Sequence, residues 1–547
     1  MLRKFTIVLI TLFLSYQFQT TACTIIAVGK KASADGSVIV SQTDNGDDCR
    51  IRIVPAMNFP KDSKAPVYWG IQRIDQPLEQ YGEIIGYIPQ VEHTYQYFHS
   101  AYSHMNEHQL AIGESTTSMR DELRIKREES KQIMTIEQAM IFALQRHTKA
   151  RDAVKFIGEL MNTYGFLPSC VDESESIVIA DPDEAWVFEV LAVGPGWEPA
   201  SGKPGAIWAA QRIPDDHALV IPNWLIIKEI NIDDTENFMA SPNYKSFAIE
   251  KGWYNPNGTK PFIWQEIYAP TAREWATDRF WLFYSMYAPN YANWPKRELK
   301  SPFDGLNDYI QYVEPLSMYP FSVVPEKKIS VKDVIEFQRS VFTGTIYDMS
   351  EDPDWYIPGK DGTMYKSPLA TPFPTTEMRK LLDINHRRNV SRGGYGMVAQ
   401  LRNWLPDEIG GIYWVYQDNQ HVGMYFPLYA GITEVNPKLN NYDPKTFNEN
   451  SVKWAIDFVD NLLYLKWQDA YKDLLEARNP LEEKIFNEII ETDKKAQELY
   501  KTNPKKAKEL LTKLSWNSTD EIHKLYSDFK YQLLIKYTNN KQGINFQ

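Results

Sequence analysis

The chain has few cysteines: its 547 residues include only Cys23, Cys49 and Cys170. None of them forms a Cys-x-x-Cys pair, so the ligand spacing of a structural zinc site is absent from the sequence. The nine histidines include no His-Glu-x-x-His motif, the usual signature of metalloproteases. We therefore expect no metal centre and no organic cofactor. Cys23 is expected to stay a thiol, whereas Cys49 and Cys170 either join in a disulfide or remain separate thiols.

Positive charge is also scarce. The 59 lysines and arginines are outnumbered by 71 acidic residues, which gives a net charge of -12. Affinity for nucleic acid comes mainly from cationic side chains that neutralise phosphates, so we expect no nucleic-acid partner. A hydrophobic content of 43% is enough for a substantial core, and the length predicts a large domain with an appendage, or two domains.

Long apolar runs are missing except at the amino terminus. Residues 1–22 begin with a basic pair, continue as FTIVLITLFLSY and end in QFQTTA, which is the layout of a secretory signal peptide. That run is shorter than the roughly 20 residues needed to span a bilayer, and no later stretch reaches that length. We expect a protein without a transmembrane segment, exported to the periplasm or the cell exterior and cleaved before Cys23.

The residues after Cys23 predict a β-hairpin. TIIAVG (24–29) and SVIVSQT (37–43) are typical of strands, and the intervening KKASADGS contains an Asp-Gly turn signal. Antiparallel pairing about a turn near residue 33 would place Cys23 opposite Thr43, with Asp44 and Asn45 beside it. The hairpin would thus bring together a thiol, a future α-amino group, a carboxyl group and an amide.

Three roles for Cys23 compete: a lipid attachment point, a buried inert thiol, and the nucleophile at the start of a mature enzyme. A lipidated cysteine usually follows a leucine-containing box and leads into a polar tether, but Thr20 and a β-branched strand flank this one. An α-amino group titrates at about 7.7–8.0 and a thiol at about 8.5, so the amine can accept the thiol proton without a histidine. The chemistry favours the nucleophile.

The stretch CTIIAVGKKASADGSVIV resembles the amino terminus of the cysteine-dependent dipeptidases of the N-terminal nucleophile (Ntn) hydrolase superfamily, the dipeptidase A type. These are distant relatives of penicillin V acylases and bile salt hydrolases. Five later stretches resemble further family blocks, in family order: MNEHQLAIGEST (105–116), YGFLPSCVDESESIVIADPDEAWVFEV (164–190), GAIWAAQRIPDDHALVIPN (205–223), RSVFTGTIYDM (339–349) and QLRNWLPDEIGGIYWVYQDN (400–419). The resemblance runs from residue 23 to about residue 435.

The resemblance implies an α+β fold, a four-layer α/β/β/α sandwich of two antiparallel sheets, as a peptidase domain over residues 23–440. Capping-box patterns at Thr135 and Ser330 predict helix starts. Residues 441–547 have helical spacing with charged outer faces, so we expect a C-terminal helical region that could support a homo-oligomer.

The resemblance also implies catalytic roles. The thiolate of Cys23 would attack the peptide carbonyl group, and its own α-amine would act as base and then as acid. Asn223 would help to hold the oxyanion, or would simply satisfy a turn after Pro222. The family usually carries an acidic residue directly before the position of Gly46, where this chain has Asn45. Either a bulge turns Asp44 inward or Asn45 fills the role, and we favour Asp44.

Two residues are candidates for substrate binding. Glu107 would line the cleft, or belong to a turn. Arg279 would grip a substrate carboxylate, although a salt bridge on a helix surface is the commoner role for such a residue. The sequence therefore predicts an exported thiol dipeptidase acting on small peptides with a free amino terminus. The alternatives are an acylase-type hydrolase of non-peptide amides and a lipid-anchored surface binding protein.

Overall fold

The computed structural model describes residues 23–46, 48–70, 72–74, 82–169, 173–271, 274–289, 319–345, 347–382, 390 and 393–538. The predicted signal peptide (1–22) and Cys170 lie outside these ranges. Within them no helix combines the length and the apolar character that a membrane span requires.

The described ranges contain both helices and strands. The helices are α1 (Ile136–Arg146), α2 (Ala150–Tyr164), α3 (Ser246–Glu250), α4 (Trp264–Tyr268), α5 (Glu274–Tyr287), α6 (Val331–Gln338), α7 (Thr376–Leu381), α8 (Asp407–Gly410), α9 (Val452–Leu463), α10 (Trp467–Thr502) and α11 (Pro504–Tyr537). The strands are β1 (Ile25–Val28), β2 (Val38–Asp44), β3 (Arg52–Val54), β4 (Met57–Asn58), β5 (Lys64–Tyr68), β6 (Ile84–Pro89), β7 (His93–Thr94), β8 (Tyr97–His99), β9 (Ala111–Thr117), β10 (Ser174–Ala180), β11 (Ala185–Ala192), β12 (Ala206–Arg212), β13 (Ala218–Ile221), β14 (Phe238–Ala240), β15 (Tyr356–Pro358), β16 (Met364–Lys366), β17 (Tyr395–Leu401), β18 (Ile412–Gln417) and β19 (Phe426–Tyr429).

Two antiparallel sheets dominate the fold. One has six strands in the order β13-β1-β2-β17-β18-β19, and the other has five in the order β14-β12-β11-β10-β9. Four two-stranded ladders accompany them among the described residues. The predicted α+β class is confirmed.

The five-stranded sheet is buried on both faces, and its sequence shows why. Successive side chains of a strand point to opposite faces. On β10, Ile177 and Ile179 pack in a core cluster with Val154 of α2, whereas Val178 joins the cluster that contains Val40 of β2. A run of consecutive apolar residues such as SIVIA therefore supplies two cores at once.

Strand β2 of the larger sheet lies against β9 and β10 of the smaller one. Gly113 on β9 makes this approach possible, because a Cβ atom at that position would lie 2.7 Å from the main-chain oxygen of Ser41. Helix α2 contacts β10, β11 and β12 of the smaller sheet, while α6 contacts β2 and β17 of the larger one.

The C-terminal helices are present where the sequence predicts them. Helices α10 and α11 pack against each other, α11 also contacts β19, and α9 contacts β18. Leu474 of α10 and Ile522 of α11 lie in the same core cluster as Trp414 of β18. These helices therefore share a core with the larger sheet, and the boundary at residue 440 stays a prediction.

The two predicted capping boxes have different outcomes. At the start of α6, the Ser330 side chain accepts from the Asp333 N–H, and the Asp333 carboxyl accepts from the Ser330 N–H at 2.8 Å. At the start of α1, the helix begins directly after Thr135 as predicted, but the Thr135 side chain makes no capping hydrogen bond. The capping box is confirmed for α6 and wrong for α1.

Candidate active site

The hairpin that begins at Cys23 is shifted by one residue from the predicted register. Val28 pairs with Ile39, and Thr24, not Cys23, is bridged to Thr43. The shift arises because the turn is centred between Ser33 and Ala34 instead of on Ser33. In the observed register the residue across from Cys23 is Asp44.

Asp44 contacts the thiol group of Cys23. The Cys23 Sγ atom donates to Asp44 Oδ2 at 3.8 Å, and the Gly46 N–H donates to Asp44 Oδ1 at 2.5 Å. Strand β2 pairs with β17 in an unbroken register up to Asp44, so the predicted bulge is wrong. The structure brings Asp44 to the thiol by register alone, and places Asn45 half-buried just past the end of the strand.

Gln42 ties this carboxyl group to a second one on the facing sheet. Its Nε2 atom donates to Asp44 Oδ2 at 3.3 Å and to Glu114 Oε2 at 3.1 Å. Its Oε1 atom accepts from the Glu114 N–H at 2.7 Å and lies 3.0 Å from His104 Nε2. Burial lowers the pKa of His104 to about 3, so the ring is neutral, and its Nδ1 lies 2.7 Å from the Tyr413 hydroxyl. All four hydrogen-bonding positions of the Gln42 amide are used: two hold the carboxyl groups, and the other two fix the orientation of the amide.

Burial removes both carboxyl groups from water and so disfavours their charged forms. Burial raises the pKa of Asp44 to about 6, although hydrogen bonds from Gly46 and Gln42 act in the opposite direction. Burial also raises the pKa of Glu114 to about 8, and the nearby Asp44 carboxyl group adds to the shift. Neither group forms an ion pair with any residue that the structure describes.

One oxygen of each carboxyl group and the Cys23 Sγ atom all lie within 4.8 Å of one another. A group this compact suits a cation, either an ammonium group or a divalent metal ion. Elsewhere in the described ranges no cluster of histidine, cysteine, aspartate and glutamate side chains is as close. The expectation that the protein uses no metal stays a prediction.

Arg279 lies beside the same cysteine. The side chain is only 1% exposed, so its assignment to a helix surface is wrong. Its NH1 atom donates to the Cys23 main-chain oxygen and to Thr24 Oγ1, each at 2.6 Å. Its NH2 atom donates to the Pro222 main-chain oxygen at 3.0 Å and to Asn223 Oδ1 at 2.8 Å. The guanidinium group thus joins the start of β1 to the end of β13, and its predicted contact with a substrate carboxylate stays a prediction.

Asn223 follows β13 in a left-handed conformation, with φ at 63°. Its Nδ2 atom donates to the Thr116 main-chain oxygen at 2.8 Å, and its N–H donates to Ser115 Oγ at 3.2 Å. Because Oδ1 accepts from Arg279, the amide is oriented with Nδ2 toward β9. An asparagine that merely satisfied a turn would not need these bonds to two other segments.

Glu107 lies in a separate arrangement. Its Oε1 atom accepts from the Gln96 N–H at 2.8 Å, and its own N–H donates to the Gln96 main-chain oxygen at 2.9 Å. These bonds fit the alternative role in a turn. Of the predicted site residues, the structure therefore brings together Cys23, Asp44, Asn223 and Arg279, while a role for Glu107 toward substrate stays a prediction.

Sequence reasoning missed Gln42 and Glu114 as members of the site. Both are completely buried on strands whose other residues are largely apolar or small. A glutamine or glutamate is seldom fully buried without a partner, so a long polar side chain in the middle of a predicted buried strand is the signal that could have identified them.

The remaining thiol among the described residues is unlike Cys23. Cys49 is free and buried, so the disulfide alternative is wrong for this residue. Burial raises the pKa of Cys49 to about 12, which keeps it protonated and unreactive at neutral pH.

Comparison with known proteins agrees with this geometry. The model of peptidase family C69 matches residues 22–479. The chain is 23% identical to Dipeptidase A of Lactobacillus helveticus, over 83% of this chain and 85% of that protein. It is 20% identical to probable dipeptidase B of Streptococcus pyogenes serotype M1, over 97% and 96% respectively. A probable dipeptidase of Latilactobacillus sakei is 24% identical, over 73% and 72%. The family match begins one residue before Cys23, spans both large sheets and ends within α10.

Proposed function

The chain belongs to peptidase family C69, and on that premise we propose that it is an exported cysteine dipeptidase whose nucleophile is the Cys23 thiol. The resemblance seen in the sequence is confirmed, and the protein is a hydrolase of the peptidase type. The relatives are named dipeptidases, which supports short peptides as the substrates.

The contact between the Cys23 thiol and the Asp44 carboxyl group is the observation that carries this proposal. The contact lies at the first residue after a predicted signal peptide. Cleavage there would leave an α-amino group two bonds from the carbon that bears the thiol. An ionised Asp44 would hold the resulting ammonium group beside the sulfur atom by a charge-assisted hydrogen bond.

The reaction then follows the chemistry of an N-terminal nucleophile. The α-amine of Cys23 accepts the thiol proton, and the thiolate attacks the peptide carbonyl carbon to give a tetrahedral intermediate. As the carbon–nitrogen bond breaks, the ammonium group returns its proton to the leaving amine. Water, activated by the same amine, attacks the thioester; the released products are two amino acids and the enzyme regains its thiol.

On this proposal Asn223 stabilises the negative oxygen of the intermediate. One N–H of its Nδ2 atom is used by Thr116, and Arg279 fixes the orientation of the amide. The second N–H of Nδ2 can donate to the oxyanion. A pre-oriented donor of this kind typically contributes a factor of about 10² to 10³ in rate.

The four-layer α/β/β/α sandwich is the architecture that we propose for the described sheets and helices. The contact of β2 with β9 and β10 supports two facing sheets, and the contacts of α2 with the smaller sheet and of α6 with the larger one support a helical layer beside each. In such a sandwich the site would lie where β1 and β2 of one sheet meet β9 of the other.

Export and cleavage before Cys23 are part of the same proposal. A lipid anchor on Cys23 is disfavoured because this residue is only 3% exposed and its thiol is hydrogen-bonded to Asp44, so an acyl chain would have to leave the interior. No feature of the site favours a non-peptide amide as the substrate over a peptide.

The mature protein itself provides the test. We would determine its intact mass and N-terminal sequence before and after treatment with iodoacetamide, and assay hydrolysis of dipeptides and of N-acyl amino acids. We expect a chain that begins at unmodified Cys23 and loses dipeptide hydrolysis on alkylation there. Cys23→Ala should abolish activity, whereas Cys49→Ala, which removes the other described thiol, should retain it. A lipid-sized mass on Cys23, or activity that survives Cys23→Ala, would contradict the proposal.

A further inference from the structure

More carboxyl groups face Cys23 than the proposed reaction uses. Asp44 and Glu114 are both buried, and neither forms an ion pair with a described residue. The α-ammonium group of a mature Cys23 would supply one positive charge, which Asp44 is placed to hold. Glu114 remains as a buried carboxyl group for which the described part of the chain supplies no counter-charge.

The polar contacts of Glu114 hold it in one orientation. Its Oε2 atom accepts from Gln42 and its Oε1 atom accepts from Thr116 Oγ1 at 3.2 Å. The same Thr116 hydroxyl lies 3.3 Å from Oε1 of Glu175, which is opposite Thr116 in the sheet. The Glu114 and Glu175 carboxyl groups also form a hydrogen bond with each other. Each oxygen of a carboxylate has two lone pairs, so these bonds still leave capacity for a further donor.

The distance from Glu114 to the nucleophile matches the geometry of a dipeptide. In a dipeptide the α-nitrogen lies about 2.5 Å from the scissile carbonyl carbon. With the sulfur about 3–3.5 Å from that carbon before attack, the nitrogen lies roughly 4 Å from the sulfur. A charge-assisted hydrogen bond adds about 2.7–2.9 Å to the acceptor. Glu114 has a carboxyl oxygen within 4.8 Å of Cys23 Sγ. That oxygen can therefore accept a hydrogen bond from the α-nitrogen of a dipeptide whose carbonyl carbon faces the sulfur.

We propose that the Glu114 carboxylate binds the α-ammonium group of the substrate and thereby selects peptides with a free amino terminus. This inference rests on the proposed dipeptidase function and deepens it. An N-acylated substrate carries a neutral amide instead of the ammonium group, so it cannot form this ion pair with Glu114. The loss of that ion pair is the physical basis of the selection.

The test compares a dipeptide with its N-acetyl derivative on the mature, metal-depleted enzyme. The wild-type enzyme is expected to prefer the free dipeptide. Glu114→Gln should lower kcat/KM for the free dipeptide by about 10- to 100-fold, mainly through KM, because a charged hydrogen bond is replaced by a neutral one. Hydrolysis of the acetylated substrate should stay within a few-fold of wild type, so the selectivity collapses.

Glu189→Gln is the matched control. Glu189 is a completely buried carboxyl group in the same sheet, but it accepts from the Ile226 N–H and from Trp264 Nε1. We expect this variant to keep the wild-type selectivity ratio whatever it does to stability. If both substrates lose activity equally in Glu114→Gln, the residue is structural or catalytic and the inference is wrong. Loss of wild-type activity on removal of metal would assign the site to a metal ion and also overturn it.

A binding measurement keeps the inference testable if Glu114→Gln does not fold. Calorimetry on the Cys23→Ala protein should show at least tenfold tighter binding of the dipeptide than of its acetyl derivative, and equal affinities would refute the inference. Failure of the proposed function gives a different result, since the wild-type enzyme would then cleave neither substrate or would remain active after Cys23→Ala.

Discussion

Carboxyl groups occur in two contrasting settings in this molecule, the interior around Cys23 and the outer faces of helices α10 and α11. On the helices they form exposed ion pairs, such as Lys484 with Glu521 at 2.6 Å and Lys501 with Glu498 at 2.8 Å. Around Cys23, Asp44 and Glu114 are buried without an ion pair to any described residue, and their pKa values are raised.

The two settings show what charge is used for in each region. Exposed pairs contribute about 0–1 kcal/mol each and chiefly keep the helices soluble. Buried carboxyl groups without a counter-charge lower the stability of the folded protein, and such groups concentrate at functional sites. The buried carboxyl groups around Cys23 are therefore explained by a role in the functional site, whereas the exposed ion pairs are explained by their contact with solvent.

The largest effect should come from removing the carboxyl group nearest the thiol. Asp44→Ala in the mature enzyme should lower kcat/KM for a dipeptide by about 10² to 10⁴, because the acid–base group of Cys23 loses its partner. Asn45→Ala, its neighbour just beyond β2, should change kcat/KM by about twofold or less. Steady-state kinetics on both variants test this prediction. If neither substitution changed kcat/KM, Asp44 would have no part in the mechanism.

Asn223 should have the next largest effect. Asn223→Gly should lower kcat by about 10² to 10³ through loss of the oxyanion donor. Glycine tolerates the φ of 63° observed here, so this variant separates chemistry from backbone strain. Asn223→Ala should lose the same activity and also be less stable by about 1–2 kcal/mol, the cost of a left-handed alanine. Unfolding in urea and turnover assays distinguish the two losses, and near-normal turnover of the glycine variant would contradict the role.

A buried ion pair between α10 and the residue that follows β17 shows how a charge behaves when it is both buried and paired. Arg402 pairs with Asp493, and Asp493 also accepts from the Tyr429 hydroxyl at 2.7 Å. Asp493→Ala should reduce the free energy of unfolding by about 3–5 kcal/mol, because Arg402 is left buried without its counter-charge. Activity per folded molecule should not change. A shift below about 1 kcal/mol in urea unfolding would show that water reaches Arg402.

The pH dependence of the free energy of unfolding should reveal how much the buried, ionised Asp44 carboxylate destabilises the folded protein. Its pKa is about 6 in the folded protein against 3.8 for the ordinary group, so the folded state binds more protons between these values. The protonated Asp44 carboxyl group therefore contributes to the free energy of unfolding below about pH 4, and this contribution is lost as the pH rises to about 6.

Asp44→Asn should remove that loss. In the chain that retains residue 22, this variant should be more stable than its parent by about 1–3 kcal/mol at pH 8, and the difference should vanish below pH 4. The mature chain should show a smaller difference, because its ammonium group neutralises Asp44. Urea unfolding at the two pH values measures both, and a destabilised Asp44→Asn variant at pH 8 would contradict the assigned cost.

The smallest effect belongs to the exposed helices. Lys484→Ala should change the free energy of unfolding by less than about 1 kcal/mol, and the change should shrink in high salt. Its pairs with Glu521 and Glu488 are both solvent-accessible. A larger, salt-independent loss would mean that this face is buried in solution, for example in the predicted homo-oligomer.

The sequence predicted the parts of the site that are local or recognisable by resemblance. Cys23 and Asp44 lie within one hairpin, so strand periodicity was enough to place them together apart from a one-residue error in register. That error came from the turn, whose centre cannot be set by counting when the loop has several short turn residues. Asn223 was found only through the resemblance.

The remainder of the site depends on contacts between distant segments. Glu114 reaches Asp44 only because β9 packs on β2, and Gly113 permits that approach. Arg279 is on a helix whose pattern fits an exposed position equally well, yet α5 packs beside β13 and buries it. Periodicity identifies which residues of a strand or helix share a face, but not which face of another element they will meet.

The contacts between Arg279 and residue 23 involve the main-chain oxygen of Cys23, on the side of the residue away from the predicted cleavage point. Those contacts therefore do not depend on whether residue 22 is still attached. Before cleavage, however, the nitrogen of residue 23 is an amide and has no basicity. On the proposed mechanism the newly made chain is thus a zymogen that holds the thiol, Asp44 and Asn223 in position, and a single cut during export supplies its base.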